Sequence, residues 1–374
     1  MNTTAWRDAN QHYLMAAIRA VREMLERYQS GDKEEHTANT AQDALDALGG
    51  EMPTPAALDI LTTVFRLSLF ERNVLLLCAG VELDSNFSAL VANIQGSPVY
   101  CLPSFGLALA ALPGAHWSAL SPDAPLRYWR LLELTNDQLI SQSPLKIDEQ
   151  ILHYLAGVHQ LDGRLTGTIT PVVSNTSLVP SHLAVADKIL QCCREEYEEG
   201  MMPVIQLTGD NKPDKEEISA YVATRLGMYL YNVTVHAIPV QLKEMLDLAR
   251  IWNREAALKS CVLQLDYTDL DLSDKSKVQA VNTFIENIQG LLIVSCAQAT
   301  PRVRRRVAIF DAGKPTTQEQ YFLWQHHLGE IAAGMNGHLH SIVSQFNLDV
   351  KTIRTASAQV LQQVNSTAAD VTAV

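Results

Sequence analysis

Apolar positions recur at helical spacing from the start of the chain. In residues 4–29, Trp6, Tyr13, Leu14, Ala17, Ile18, Val21, Met24 and Leu25 share one face, which predicts a single amphipathic helix. Residues 30–53 are polar and punctuated by Gly49, Gly50 and Pro53, which predicts a linker with a short helix at 41–48. A helix begins at Pro55, with Ile60, Leu61, Val64, Phe65 and Leu67 forming its face. Ser68 followed by Glu71 has the form of a capping box and opens a helix over 70–83. Helical stretches at 86–94 and 104–112 come next, then an aromatic, β-prone section at 126–134. A strand at 145–147 leads into a helix at 148–155. Several short helices followed by a small β element outline a winged-helix module, though an unspecified helical domain has the same outline.

Residues 164–182 are rich in Thr, Ser, Val and Pro and carry no helical period, so the main boundary is placed there. After a helix at 182–198 the pattern changes. Apolar β-type runs at 203–207, 229–237, 260–265, 291–296 and 307–310 alternate with helical periods at 215–226, 240–258 and 275–288. Strands alternating with helices predict a parallel sheet in a three-layer α/β domain. From 316 onward the pattern is helical again. The reading is thus a multidomain α and α/β chain: an N-terminal helix and linker (1–52), a winged-helix-like helical domain (53–165), an α/β domain (183–312), and a C-terminal helical segment and tail (316–374).

Composition narrows the function classes. The 374 residues hold 29 Lys+Arg against 41 Asp+Glu, a net charge of −12, and 47% are hydrophobic. That hydrophobic content excludes wholesale disorder, and the acidic balance argues against a general nucleic-acid binder. The six cysteines include no CxxC pair and read as buried small hydrophobes in a reducing compartment. The N-terminus lacks the order of a signal peptide, and no apolar run approaches the roughly 20 residues of a membrane span. These features predict a cytoplasmic protein with no membrane segment.

The turns after strands of an α/β sheet are where ligands bind. After the strand at 203–207 comes Thr208-Gly-Asp-Asn-Lys-Pro-Asp-Lys-Glu216, then a helix. A P-loop has Gly, four residues, Gly, Lys, then Ser or Thr, so that backbone N–H groups and a helix N-terminus cradle phosphates. Gly209 and Lys215 have that spacing. Asp214 stands where the second Gly belongs, and Glu216 where the Mg²⁺-binding hydroxyl belongs. The two carboxylates are repulsive to a polyphosphate, and an ordinary turn with a capped helix explains the same residues. Asp266 ends the strand at 260–265 as a Walker-B Asp would, but Tyr267 follows where hydrolytic enzymes place a Glu. Ser295 and Gln298 sit at a strand end suited to a sensor group or simply to solvent. Arg302, Arg304, Arg305 and Arg306 form a basic cluster, readable as an arginine finger or as a protein-binding or solvated face. His326–His327 and His338/His340 lack a third ligand at sensible spacing, so no metal is expected beyond Mg²⁺ at Asp266.

Three segments carry a resemblance. Residues 65–84 (FRLSLFERNVLLLCAGVELD), 104–126 (SFGLALAALPGAHWSALSPDAPL) and 144–157 (PLKIDEQILHYLAG) resemble bacterial AAA+ ATPases with an N-terminal winged-helix region. Such ATPases are associated with extracellular contractile injection systems, which are phage-tail-like particles. The chain resembles their N-terminal half; members carry a second, well-formed AAA+ module beyond it. The resemblance implies an AAA+-like domain with a helical lid, ATP and Mg²⁺ as cofactors, ring self-association and injection-particle partners. By resemblance, Gly209, Lys215 and Glu216 are the degenerate Walker A, Asp266 the Mg²⁺-linked Asp, Ser295 and Arg354 sensor positions, and Arg302 an arginine candidate. The implied function is a pseudo-ATPase portion serving assembly, cargo loading or remodelling. An active ATP-hydrolysing module and a winged-helix nucleic-acid binder are the alternatives.

Overall fold

The computed structural model describes residues 3–31, 45, 47–50, 52, 54–96, 101–135, 139–173, 178–199, 202–298, 303–335 and 338–372. They form two units, Met1–Asp162 and Gly163–Val374.

The first unit is built on α1 (Thr3–Ser30), whose apolar face turns Leu14, Ala17, Ile18, Val21 and Leu25 inward. Most of the helix expected at 41–48 lies outside the described residues. Next come α2 (Ala57–Val64), α3 (Leu69–Leu83), α4 (Ser85–Ile94), α5 (Phe105–Ala111) and the single-turn α6 (Pro125–Tyr128). The capping box at α3 forms as the sequence requires: Ser68 accepts from the Glu71 amide, and Glu71 accepts from the Ser68 backbone. A buried asparagine joins three elements. Asn10 donates to the Leu155 carbonyl (2.8 Å) and accepts from the Ala57 amide (2.8 Å). The β element is an antiparallel pair, β1 (Leu132–Leu134) with β2 (Leu145–Ile147), which leads into α7 (Glu149–Leu155). The stretch 126–134, read as β-prone throughout, opens instead with α6, because Pro125 at the first helical position is pre-set for a helix.

The second unit holds a six-stranded sheet. Its strands are β3 (Ile169–Pro171), β4 (Val204–Thr208), β5 (Tyr229–Thr234), β6 (Cys261–Asp266), β7 (Leu292–Ser295) and β8 (Val307–Asp311). Their order is β3-β5-β6-β7-β4-β8, with β4 to β8 parallel and β3 antiparallel to β5. Strands β6 and β7 are buried along their whole length, as expected of a parallel sheet covered on both faces. Helices α8 (Pro180–Glu199) and α9 (Lys212–Arg225) pack against Ile205, Leu207 and Ile293 on one face. On the other face lie α10 (Leu242–Lys259), whose Trp252 meets Tyr231, and α11 (Lys275–Asn287). The C-terminal helices α12 (Thr317–Leu328), α13 (Glu330–Gly334), α14 (His338–Gln345) and α15 (Val350–Thr372) gather around Trp324, Leu328, Leu339, Val343 and Ile353 as a lid.

Two boundaries differ from the sequence expectation. Within 164–182, β3 pairs as an edge strand with Tyr231–Val233, and the division between units falls at Asp162–Gly163. A three-residue edge strand is too short to show alternation, and Pro171 is tolerated at an edge. The helix expected to start at Lys215 starts at Lys212. Pro213 reads as loop punctuation, yet in a first turn its missing N–H has no intrahelical bond to make. Among the described residues no single helix is long and apolar enough to cross a membrane.

Candidate functional site

The early start of α9 decides the geometry of the loop. Only residues 209–211 remain between β4 and the helix, so Lys212, Pro213 and Asp214, which a P-loop would use as open cradle, are wound into the first turn. Gly209 has φ +134°, and a Cβ there would lie 2.4 Å from the Ala312 carbonyl oxygen. The glycine is therefore required by the close pass of the backbone between β8 and the lid.

Lys215 is 1% exposed. Its Nζ donates to the carbonyls of Gly209 (2.7 Å) and Cys296 (2.8 Å). Burial pushes its ammonium below the usual lysine range, although Cys296, Asp266 and Asp210 act in the opposite sense. Asp214 is fully buried, and burial pushes its carboxyl above the usual range. Neither of its oxygens meets a partner at full hydrogen-bond geometry among the described residues, while Asn211, His182 and the Val350 amide draw it partway back.

Asp266, at the end of β6, is 4% exposed and its Oδ2 lies 2.6 Å from Lys212 Nζ. Lys212 also approaches Glu216 Oε1 at 3.8 Å, one helical turn on. Hydrogen bonding to Asp266 raises the Lys212 pKa. Burial alone would raise that of Asp266, but hydrogen bonds from Lys212 and Thr268 outweigh it and hold the carboxyl below its usual value. Asp266, the expected Walker B position, is thus paired with an ammonium from the same chain. Sequence reasoning missed Lys212; its signal was the (i, i+4) spacing to Glu216, visible once the helix is started three residues earlier.

Acid titration should reveal the pair. The folded Asp266 binds a proton less readily than the unfolded chain does, so its contribution is complete above a pH of about 4 and is lost as pH falls through the lower folded value. Because Lys212 is 45% exposed on its side chain, the contribution is discounted to on the order of 1 kcal/mol. In Lys212→Met, stability of β6 measured by hydrogen exchange should be lower near neutral pH and should fall less steeply on acidification.

Of the other predicted positions, one adjoins Asp266 and the rest lie apart from it. Ser295 is fully buried beside Asp266 and Leu207 in the sheet register, and its Oγ has no partner among the described residues. The Tyr267 phenol is pushed up by burial and stays protonated, so it offers no base. Arg354 is half-buried in the lid, where its charge acts on His327 of α12. Arg302 lies outside the described residues. Within the basic cluster, Arg305 turns inward and donates to the carbonyls of Ile285, Ile288 and Met202 at 2.6–3.1 Å, closing the end of α11. Among the described residues no group of three or more His, Cys, Asp or Glu is placed to hold a metal ion.

Beside the loop, a cavity of about 800 Å³ opens between the strand ends and the lid. Gly209, Gln298, Asp311, Lys314, Gln320 and Asn347 are among its lining residues.

At the positions expected to meet Mg²⁺-ATP, Lys215 is hydrogen-bonded to two carbonyls, Asp266 is paired with Lys212, and Glu216 stands where a hydroxyl is expected. What the fold defines is a helical domain with a small β element, followed by an α/β domain with a mostly parallel sheet and a C-terminal helical segment. Comparison with known families agrees at both ends: residues 5–169 match the model "Winged helix domain, variant", and residues 316–374 match "Contractile injection system ATPase helical domain". The chain therefore carries both the winged-helix region and the lid that its sequence resemblance implied. No curated protein matches it. Among solved structures, katanin is 12% identical, covering 53% of this chain and 77% of the katanin chain with a TM-score of 0.38. PCH-2 of C. elegans is 11% identical, covering 48% and 61% respectively, with a TM-score of 0.29. Likeness at that level carries no argument.

Proposed function

We propose that this chain is a non-hydrolysing, AAA+-like portion of a contractile injection system ATPase, in which the α/β domain is built around its own lysines instead of a nucleotide. One observation carries the reading: the ammonium of Lys215 is buried against the Gly209 and Cys296 carbonyls. A phosphate-binding lysine must present its charge to the ligand, alongside converging backbone N–H groups. Turning Lys215 outward would break two hydrogen bonds and leave two carbonyls without donors, each at about 1–3 kcal/mol. Hydrolysis would further need a group to orient water, and the neutral phenol of Tyr267 is the residue next to Asp266. On this reading the module is a structural member of a self-associating assembly that works with injection-particle proteins, and any hydrolysis comes from elsewhere.

The test is steady-state phosphate release from ATP and Mg²⁺. The chain and its Lys215→Ala variant should give the same background rate. Turnover that disappears in Lys215→Ala would overturn the proposal and restore the active-module reading.

A further inference from the structure

One carboxylate joins the lid to the α/β domain. Glu319 lies in the first turn of α12 and completes a capping box with Thr316, accepting from the Thr316 amide (2.8 Å) and hydroxyl (2.9 Å). A capping box serves its own helix. This one also reaches across 138 residues of sequence: Glu319 Oε1 accepts from the Ser181 amide (2.6 Å), and Oε2 from the Ser181 hydroxyl (2.8 Å). Ser181 is the second residue of α8, which packs on the sheet. A single carboxylate therefore meets unsatisfied donors at the N-termini of two helices, one in the α/β layer and one in the lid, where the positive ends of both helix dipoles favour it. The next residue adds a second tie. His182 is 1% exposed, and its Nε2 donates to the carbonyl of Gly313 (2.8 Å), in the segment linking β8 to α12. Burial works against the charge on Glu319, yet the hydrogen bonds from Ser181 and Thr316 hold its pKa below the usual range.

We infer that Glu319 is a latch: by capping α8 and α12 together it makes the lid follow the start of α8, so that lid orientation is set within the chain and not by what occupies the loop after β4. The latch does not depend on whether nucleotide binds. Residues 181 and 182 hold the segment linking β8 to α12 and the first lid helix at adjacent points, and a shift of the α8 N-terminus is transmitted directly to both.

The test is hydrogen exchange on the complete chain, comparing wild type with Glu319→Ala, Glu319→Gln, Ser181→Ala and Thr316→Ala. With the latch, Glu319→Ala accelerates exchange at least tenfold at the start of α8 and across 312–316, as well as in the first turn of α12. Ser181→Ala accelerates the first turn of α12 by severalfold, because the coupling is reciprocal. Thr316→Ala, which leaves the Ser181 contacts in place, affects the first turn of α12 alone. Should Glu319→Ala not fold, Glu319→Gln makes the same comparison, with loss of charge at nearly constant shape. The inference is overturned if the start of α8 exchanges within twofold of wild type while the first turn of α12 loosens, since Glu319 would then serve only its own helix.

Discussion

Lys215→Ala is expected to destabilise the α/β domain by about 4 kcal/mol. In a working phosphate loop this change removes ligand binding and leaves the fold intact. Here the lysine stem is wholly buried and its ammonium satisfies the Gly209 and Cys296 carbonyls. Truncating a long buried side chain to Ala costs about 2–5 kcal/mol, and orphaned carbonyls add to that. Relief from burying a charge offsets part of the sum. The two units need not unfold together, so the change is best read from exchange of the β4 and β6 amides, which should accelerate about a thousandfold. A variant as stable as wild type would mean that Lys215 is not structural.

Gly209→Ala is the second large effect. The new Cβ would sit 2.4 Å from the Ala312 carbonyl oxygen, on a backbone with φ +134°. Neither atom belongs to a flexible side chain, so the strand-to-lid segment must shift. A cost of about 2–4 kcal/mol follows from strain at a special backbone position together with the clash. The damage should spread through Ala312 to the segment leading into the lid, and should be visible as faster exchange over 311–316. Stability within 0.5 kcal/mol of wild type, a bound usual for neutral substitutions, would show that the backbone there yields easily.

Much of the architecture was legible because long periodic segments announce themselves. The α1 face, the Ser68–Glu71 capping box and the buried runs of β4, β6 and β7 follow directly from side-chain spacing. What escaped was local. Pro213 and Asp214 read equally well as loop and as first helical turn, and that ambiguity hid the shortened loop. β3 is three residues at a sheet edge, too brief for a period. Gly209, Lys215 and Asp266, picked out by their spacing, are brought to one end of the sheet. The sequence could not show that Lys212 pairs with Asp266, nor that Lys215 faces inward, because both depend on where the helix begins. Arg305 stood out as charge, but its role in closing α11 depends on carbonyls from two stretches, the end of α11 and Met202. The contact of Ser181 with Glu319 has no sequence signature, since each residue looks like an ordinary cap of its own helix.

The claim that the loop after β4 is filled by the chain itself is tested most directly by calorimetric titration of the full chain with ATP and Mg²⁺, alongside Lys215→Met, which keeps most of the buried stem. The account predicts no binding tighter than about 100 μM, equivalent to about −5.5 kcal/mol, in either protein. Binding tighter than that in the wild type, lost in Lys215→Met, would contradict it and would mean that Lys215 leaves its carbonyls to hold phosphate.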